Sequence, residues 1–114
     1  MAGAIQAHTI NVLAVTSTHR LPDFPHLPTV AETLPGYDAS GWHGLGAPKA
    51  TPPDIIAALN KAVNADLAEA AFKDKLANLG GVPAPMTAAE FTKFIADETQ
   101  KWAKVNKFAD IHAD

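Results

Sequence analysis

The sequence predicts an α/β fold, with two to three strands packed by about four helices. Three observations carry this. Residues 10–16 form a short apolar run rich in Val, Ile and Leu, of the length of a buried strand. Residues 40–47 form a second extended segment around Trp42. The chain after residue 51 is filled with apolar stripes at helical spacing, launched by recognisable cap signals.

The elements follow in order. After the strand at Ile10–Thr16 comes a loop with Pro22, Pro25 and Pro28 three residues apart, a spacing also used by polyproline ligands. Leu21, Phe24 and Leu27 interleave with these prolines and favour a stiff loop pinned to the surface. Thr29-x-x-Glu32 is a capping-box pattern, predicting a short helix over about Val30–Leu34 that Pro35-Gly36 ends. In the strand at Ser40–Ala47, Trp42, Gly44 and Gly46 share one face and His43 and Leu45 the other.

Thr51-Pro52-Pro53-Asp54 opens a long helix, with Thr51 as cap and proline in the first turn. Its expected inward stripe is Ile55, Ile56, Leu59, Val63 and Leu67. A helix at Ala70–Leu79 turns Phe72, Leu76 and Leu79 inward and stops at Gly80. Thr87-x-x-Glu90 launches the last helix, Ala88–Phe108, with Phe91, Ile95, Trp102 and Val105 inward and Phe94 beside them. Asp97 and Lys101 stand one turn apart on it, in the favourable orientation for an ion pair. Two strands make a poor sheet. The pattern therefore describes residues 1–114 as a single incomplete α/β domain, part of a larger sheet.

Composition excludes several function classes. With a net charge of −3 and no basic block, the chain carries no footprint for nucleic acid. The lysines of the last helices alternate with acids, as on a solvated face. No cysteine is present, which removes disulfide and thiolate chemistry. No apolar run approaches the roughly 18 residues of a membrane-spanning helix. The first eight residues lack a basic segment followed by a long apolar one, so they do not read as a signal peptide. The five histidines have no metal-motif spacing, although His19, His26 and Asp23 share a loop. Ser17 and His19 have no nucleophile-elbow motif around them. These patterns predict no enzyme, no cofactor and no metal.

The most specific signal lies between Leu13 and Pro52. It reads Leu13-Ala-Val-Thr-Ser17, Arg20, Pro25-x-x-Pro28-Thr-Val-Ala-Glu32, Pro35-Gly-Tyr37, Trp42-x-Gly44-Leu45-x-Ala47-Pro48 and Thr51-Pro52. In that order it resembles the C-terminal part of the solute receptors of tripartite tricarboxylate transporters, the Bug receptor family. The likeness continues in register from about Ile5 to Ile111, through Leu59-Asn60-x-Ala62-Val63, Leu76–Gly80, Thr87–Phe94 and Glu98-x-x-x-Trp102. It departs at His8, where the family has glycine before the first strand.

The resemblance implies a partial lobe of a type II periplasmic binding protein fold, about the last third of a receptor whose two lobes close over a small carboxylate. It implies a periplasmic setting, whereas the chain as written, without a signal peptide, would stay in the cytoplasm. Its partners would be a small carboxylate ligand and membrane permease subunits, both through the complete receptor.

Strand ends of open α/β sheets are where ligands gather, which makes Thr16, Ser17 and Thr18 candidate ligand contacts; capping of the loop by the same hydroxyls is the alternative. Arg20, the chain's single arginine, would pair a carboxylate or else anchor the proline loop through backbone carbonyls or Asp23. Trp42 and His43 would line the cleft, or Trp42 would be a core aromatic. A half-cleft leaves a desolvated carboxylate short of donors, so little ligand binding is expected from this segment alone. The rival reading is a stand-alone interaction module without transport activity. Under either reading the open edge predicts a homodimer, by sheet completion or exchange of the N-terminal strand.

Overall fold

The computed structural model describes residues 5, 7 and 9–111. It forms two compact groups. One comprises the described residues up to Gly46 together with Lys75–Gly81; the other comprises Ala47–Asp74 and the described residues from Val82 onward. The helices are α1 (Pro53–Ala68), α2 (Ala70–Asn78) and α3 (Ala88–Phe108), preceded by a short 3-10 turn at Val30–Glu32. The expected strands run as extended chain but form no ladder among the described residues. Their only β-type pairing there is one parallel bridge, Val15 with Thr29. A strand needs a neighbour along its length, and this segment supplies one at a single point.

In the first group the proline-rich loop is a succession of tight turns. The Phe24 N–H donates to the Leu21 carbonyl and the Leu27 N–H to the Phe24 carbonyl, both at 3.0 Å. Leu27 is 7% exposed, and Leu21 and Phe24 are half-buried, so these side chains do pin the loop. The loop returns alongside the first extended segment. There Val15 N–H meets the Pro28 carbonyl and Val30 N–H meets the Val15 carbonyl, each at 2.9 Å. Pro35 and Gly36 then form a turn closed by Tyr37 N–H to the Leu34 carbonyl, with Gly36 at φ 85°. A side chain there would be strained, which is why glycine follows proline.

In the second group α1 and α3 pack together. The cap of α1 differs from expectation. Pro52 is the N-cap, its carbonyl accepting from Ile55 and Ile56 N–H at 3.1 Å, and no side chain caps this end. Thr51 is drawn instead into a turn onto the Pro48 carbonyl. The inward face agrees in part: Ile56, Val63 and Leu67 are half-buried as expected, Ile55 and Leu59 are exposed, and Asn60 and Asn64 also take half-buried positions. The cause is a polar clamp. Both Nδ2 groups donate to the Met86 carbonyl at 2.9 Å, and Asn64 Oδ1 accepts the Met86 N–H at 3.2 Å. The clamp fixes the chain two residues before α3, next to its N-cap Thr87.

The capping box predicted for α3 is present in both directions: Glu90 N–H reaches Thr87 Oγ1 at 3.2 Å, and Thr87 N–H reaches Glu90 Oε2 at 2.8 Å. Along α3 only Glu98 is buried, with the expected Phe91 and Phe94 and also Lys101 half-buried, while the expected Ile95, Trp102 and Val105 are exposed. Glu98, 9% exposed, is tolerated there because Trp102 Nε1 donates to it at 3.0 Å and the Lys101 ammonium pairs with it. That pairing replaces the anticipated Asp97–Lys101 pair; Asp97 binds Lys93 one turn before it.

Helix α2 presents only Leu76 half-buried, with Phe72 and Leu79 exposed. It ends as predicted at Gly80, whose φ of 76° lets its N–H reach Ala77 and the Gly81 N–H reach Leu76, both at 2.8 Å. Among the described residues no helix is long and apolar enough to cross a membrane.

Candidate functional site

The candidate residues fall in the first group, around the turn that follows Val15. The turn is fixed by its own hydroxyls. Ser17 Oγ donates to the His19 carbonyl at 2.8 Å, and Thr18 Oγ1 lies 2.9 Å from His19 Nδ1. The Thr16 carbonyl accepts the Ala39 N–H at 3.1 Å, tying the end of the first extended segment to the start of the second. Ser17 therefore meets the backbone of His19 and not its ring, so the two do not form a nucleophile–base pair.

Arg20 makes three hydrogen bonds within the chain. Its Nε and Nη2 meet Glu32 Oε1 and Oε2 at 2.8 and 2.7 Å, and its Nη1 donates to the Pro25 carbonyl at 3.1 Å. The expected anchoring through a loop carbonyl is present, but the acidic partner is Glu32, not Asp23. Sequence reading identified Glu32 only as the cap of Thr29. It performs both tasks, since its Oε1 also accepts the Thr29 N–H at 3.0 Å. The Arg20 guanidinium and the Thr29 N–H hold the Glu32 carboxyl down to about 2, and the same hydrogen bond raises Arg20 above its ordinary value. The fork-to-fork geometry gives direction as well as charge. It fixes the base of the Thr16–His19 turn against the 3-10 turn.

Trp42 and His43 lie in the second extended segment, both exposed; Trp42 is not a core aromatic. None of the six candidate residues lines the open hollow of about 430 Å³ in the same group, which is bounded by Ile10, Val12, Asp23, Phe24, His26 and Leu27. Phe24 and His26 meet edge to face there, with centroids 6.4 Å apart. Among the described residues no three metal-ligating side chains converge. His8, the point of departure from the resemblance, and His112 lie outside the described residues.

Comparison with known proteins gives the chain a family. The family model for the tripartite tricarboxylate transporter family receptor matches residues 1–110, and the chain belongs to that family. It is 39% identical over 102 residues to protein BugT of Bordetella pertussis, covering 89% of this chain and 31% of that protein. It is 34% identical over 103 residues to a UPF0065 protein encoded in the tcbD-tcbE intergenic region of Pseudomonas sp. strain P51, again covering 89% of this chain and 31% of the relative. Among solved structures it resembles R. palustris Rpa4515 with adipate, at a TM-score of 0.80 and 36% identity, over 96% of this chain and 37% of that one. The chain thus spans about a third of the length of these relatives. The likeness agrees with the expected partial lobe of a binding-protein fold, whereas the expected strands form no ladder among the described residues.

Proposed function

We propose that the chain is the C-terminal segment of an extracytoplasmic solute receptor that carries a small carboxylate to a tripartite tricarboxylate-type permease. The supporting observation is its 0.80 TM-score and 36% identity to a structure that holds adipate, a linear dicarboxylate. In this reading the complete receptor works by closing two walls over its ligand, without covalent chemistry or a cofactor. This segment contributes one wall. The hydroxyls of Thr16, Ser17 and Thr18 and the imidazole of His43 face the ligand, Trp42 covers it, and Arg20 sets the turn in place through Glu32. The segment alone provides too few converging donors to hold a dicarboxylate out of water.

The test is to replace the matched 102 residues of BugT with those of this chain and to measure melting against adipate and a panel of other di- and tricarboxylates. A bound ligand raises stability by RT ln(1 + [L]/Kd), about 2.7 kcal/mol at a hundredfold excess over Kd. The chimera is expected to gain melting temperature with at least one dicarboxylate, and the isolated chain to gain none at the same concentration. A chimera that folds but responds to no carboxylate would remove the ligand reading. The exposed apolar side chains Leu13 and Leu45 favour a second reading, an interaction module that pairs with a second copy of itself.

A further inference from the structure

The second extended segment of the first group is held at one place. Between Glu32 and Gly46 only Asp38, Ala39 and Ser40 are half-buried, and every other residue is exposed. Within those three, a single carboxylate oxygen closes a turn. Asp38 Oδ1 accepts the Ser40 N–H at 3.1 Å and the Ser40 hydroxyl at 2.7 Å. A side-chain acceptor bonded two residues on makes a small ring around Ala39 and restricts its backbone angles. The Ala39 N–H inside that ring donates to the Thr16 carbonyl at 3.1 Å. Thr16 opens the hydroxyl turn, and Trp42 and His43 follow Ser40 by two and three residues. The Asp38 turn therefore stands between the two sets of candidate ligand contacts. Beyond it Trp42 is 43% exposed and Leu45 76%, so burial contributes little to the course of the segment.

We infer that Asp38 is a positioning residue of the candidate site: its turn sets where Trp42 and His43 stand relative to Thr16, Ser17 and Thr18, and through that placement it sets the affinity for the carboxylate. This rests on the receptor reading above and names a residue that acts on the ligand only through its neighbours. The physical reason is preorganisation. A segment that must be ordered when the ligand arrives subtracts its ordering cost from the binding free energy, whereas one already fixed does not. Asp38 fixes the segment through accepted hydrogen bonds and not through charge, because both of these contacts are with neutral donors of Ser40. Asparagine keeps a side-chain oxygen acceptor at that position, and alanine offers none.

The experiment places Asp38→Ala and Asp38→Asn in the BugT chimera and in the 114-residue chain. In the chimera, calorimetric titration with adipate and the other carboxylates of the panel reads Kd, and melting without ligand reads stability. In the chain, amide exchange reads the turn. Asp38→Ala is expected to raise Kd about tenfold, with the unliganded melting midpoint within about 2 °C of the parent chimera, and Asp38→Asn to restore Kd. In the chain, Asp38→Ala speeds exchange at Ala39 about tenfold and leaves Val15 and Val30, which have partners of their own, unchanged. An unchanged Kd in Asp38→Ala overturns the inference and leaves the receptor reading standing. So does a loss of affinity that asparagine fails to rescue, since charge would then carry it. A loss accompanied by a large drop in unliganded melting also overturns it, because the role is then structural alone. If the parent chimera binds no carboxylate, the ligand reading fails and exchange at Ala39 decides the placement: faster in Asp38→Ala supports it, and unchanged overturns it.

Discussion

Arg20 and Glu32, twelve residues apart, grip each other through two parallel hydrogen bonds of 2.8 and 2.7 Å, and Glu32 simultaneously caps Thr29. One carboxylate thus joins the hydroxyl turn, the proline-rich loop and the 3-10 turn. The guanidinium is thereby committed to placing the turn.

The first prediction is a pH dependence of this latch. The folded Glu32 carboxyl is depressed to about 2 from an ordinary 4.5, so its stabilisation is fully present above 4.5 and is lost as pH falls toward 2. Carboxyl-carbon NMR should find the Glu32 midpoint near 2. Arg20→Gln should move that midpoint upward and increase amide exchange across residues 15–30. An unchanged midpoint in the variant would show that Arg20 is not the cause.

The Met86 clamp gives an ordered pair of stabilities. Asn64→Ala strips the Met86 N–H of its acceptor and is expected to cost about 1–2 kcal/mol. Asn60→Ala should cost less, because Asn64 still donates to the Met86 carbonyl. Urea unfolding of the two variants reads the order directly, and a reversed order would contradict the clamp.

Gly80 offers a test of backbone strain free of crowding. Nothing lies within 4 Å of a Cβ built there, but φ is +76°. Gly80→Ala should therefore destabilise by about 1 kcal/mol, seen as a melting midpoint lower by several degrees, from conformation alone. No shift would mean that the end of α2 is already frayed.

At the start of α3, Thr87→Ala removes a reciprocal cap and should cost about 1 kcal/mol. The Thr87 N–H and, next, its hydroxyl hold the Glu90 carboxyl below its ordinary range. The variant keeps the N–H but loses the hydroxyl, so the Glu90 midpoint should rise only part of the way back. Serine at position 87 should restore both measurements.

What was legible in the sequence followed the range of the interaction. Both capping boxes and the end at Gly80 are set by residues three or four apart, and they stand where the residue types place them. The inward faces were less legible. Asn60 and Asn64 turn inward because of a backbone group more than twenty residues later, and Glu98 is buried because Lys101 and Trp102 satisfy it. Apolar periodicity carries no trace of either arrangement. The extended character of residues 10–16 was readable from alternation, but its neighbours depend on sequence far away. At the candidate site, the residue types of the turn were visible and the partner of Arg20 was not, because only the bridge between Val15 and Thr29 brings Glu32 within reach.

The scarcity of enclosed apolar side chains, with Leu27 the only one buried among the described residues, has a calorimetric consequence. Heat-capacity increments on unfolding come chiefly from newly wetted apolar surface, ordinarily about 12–15 cal/mol/K per residue. A molecule that already wets most of that surface should melt with a much smaller increment, over a wide temperature interval. Its denaturant response should be correspondingly shallow.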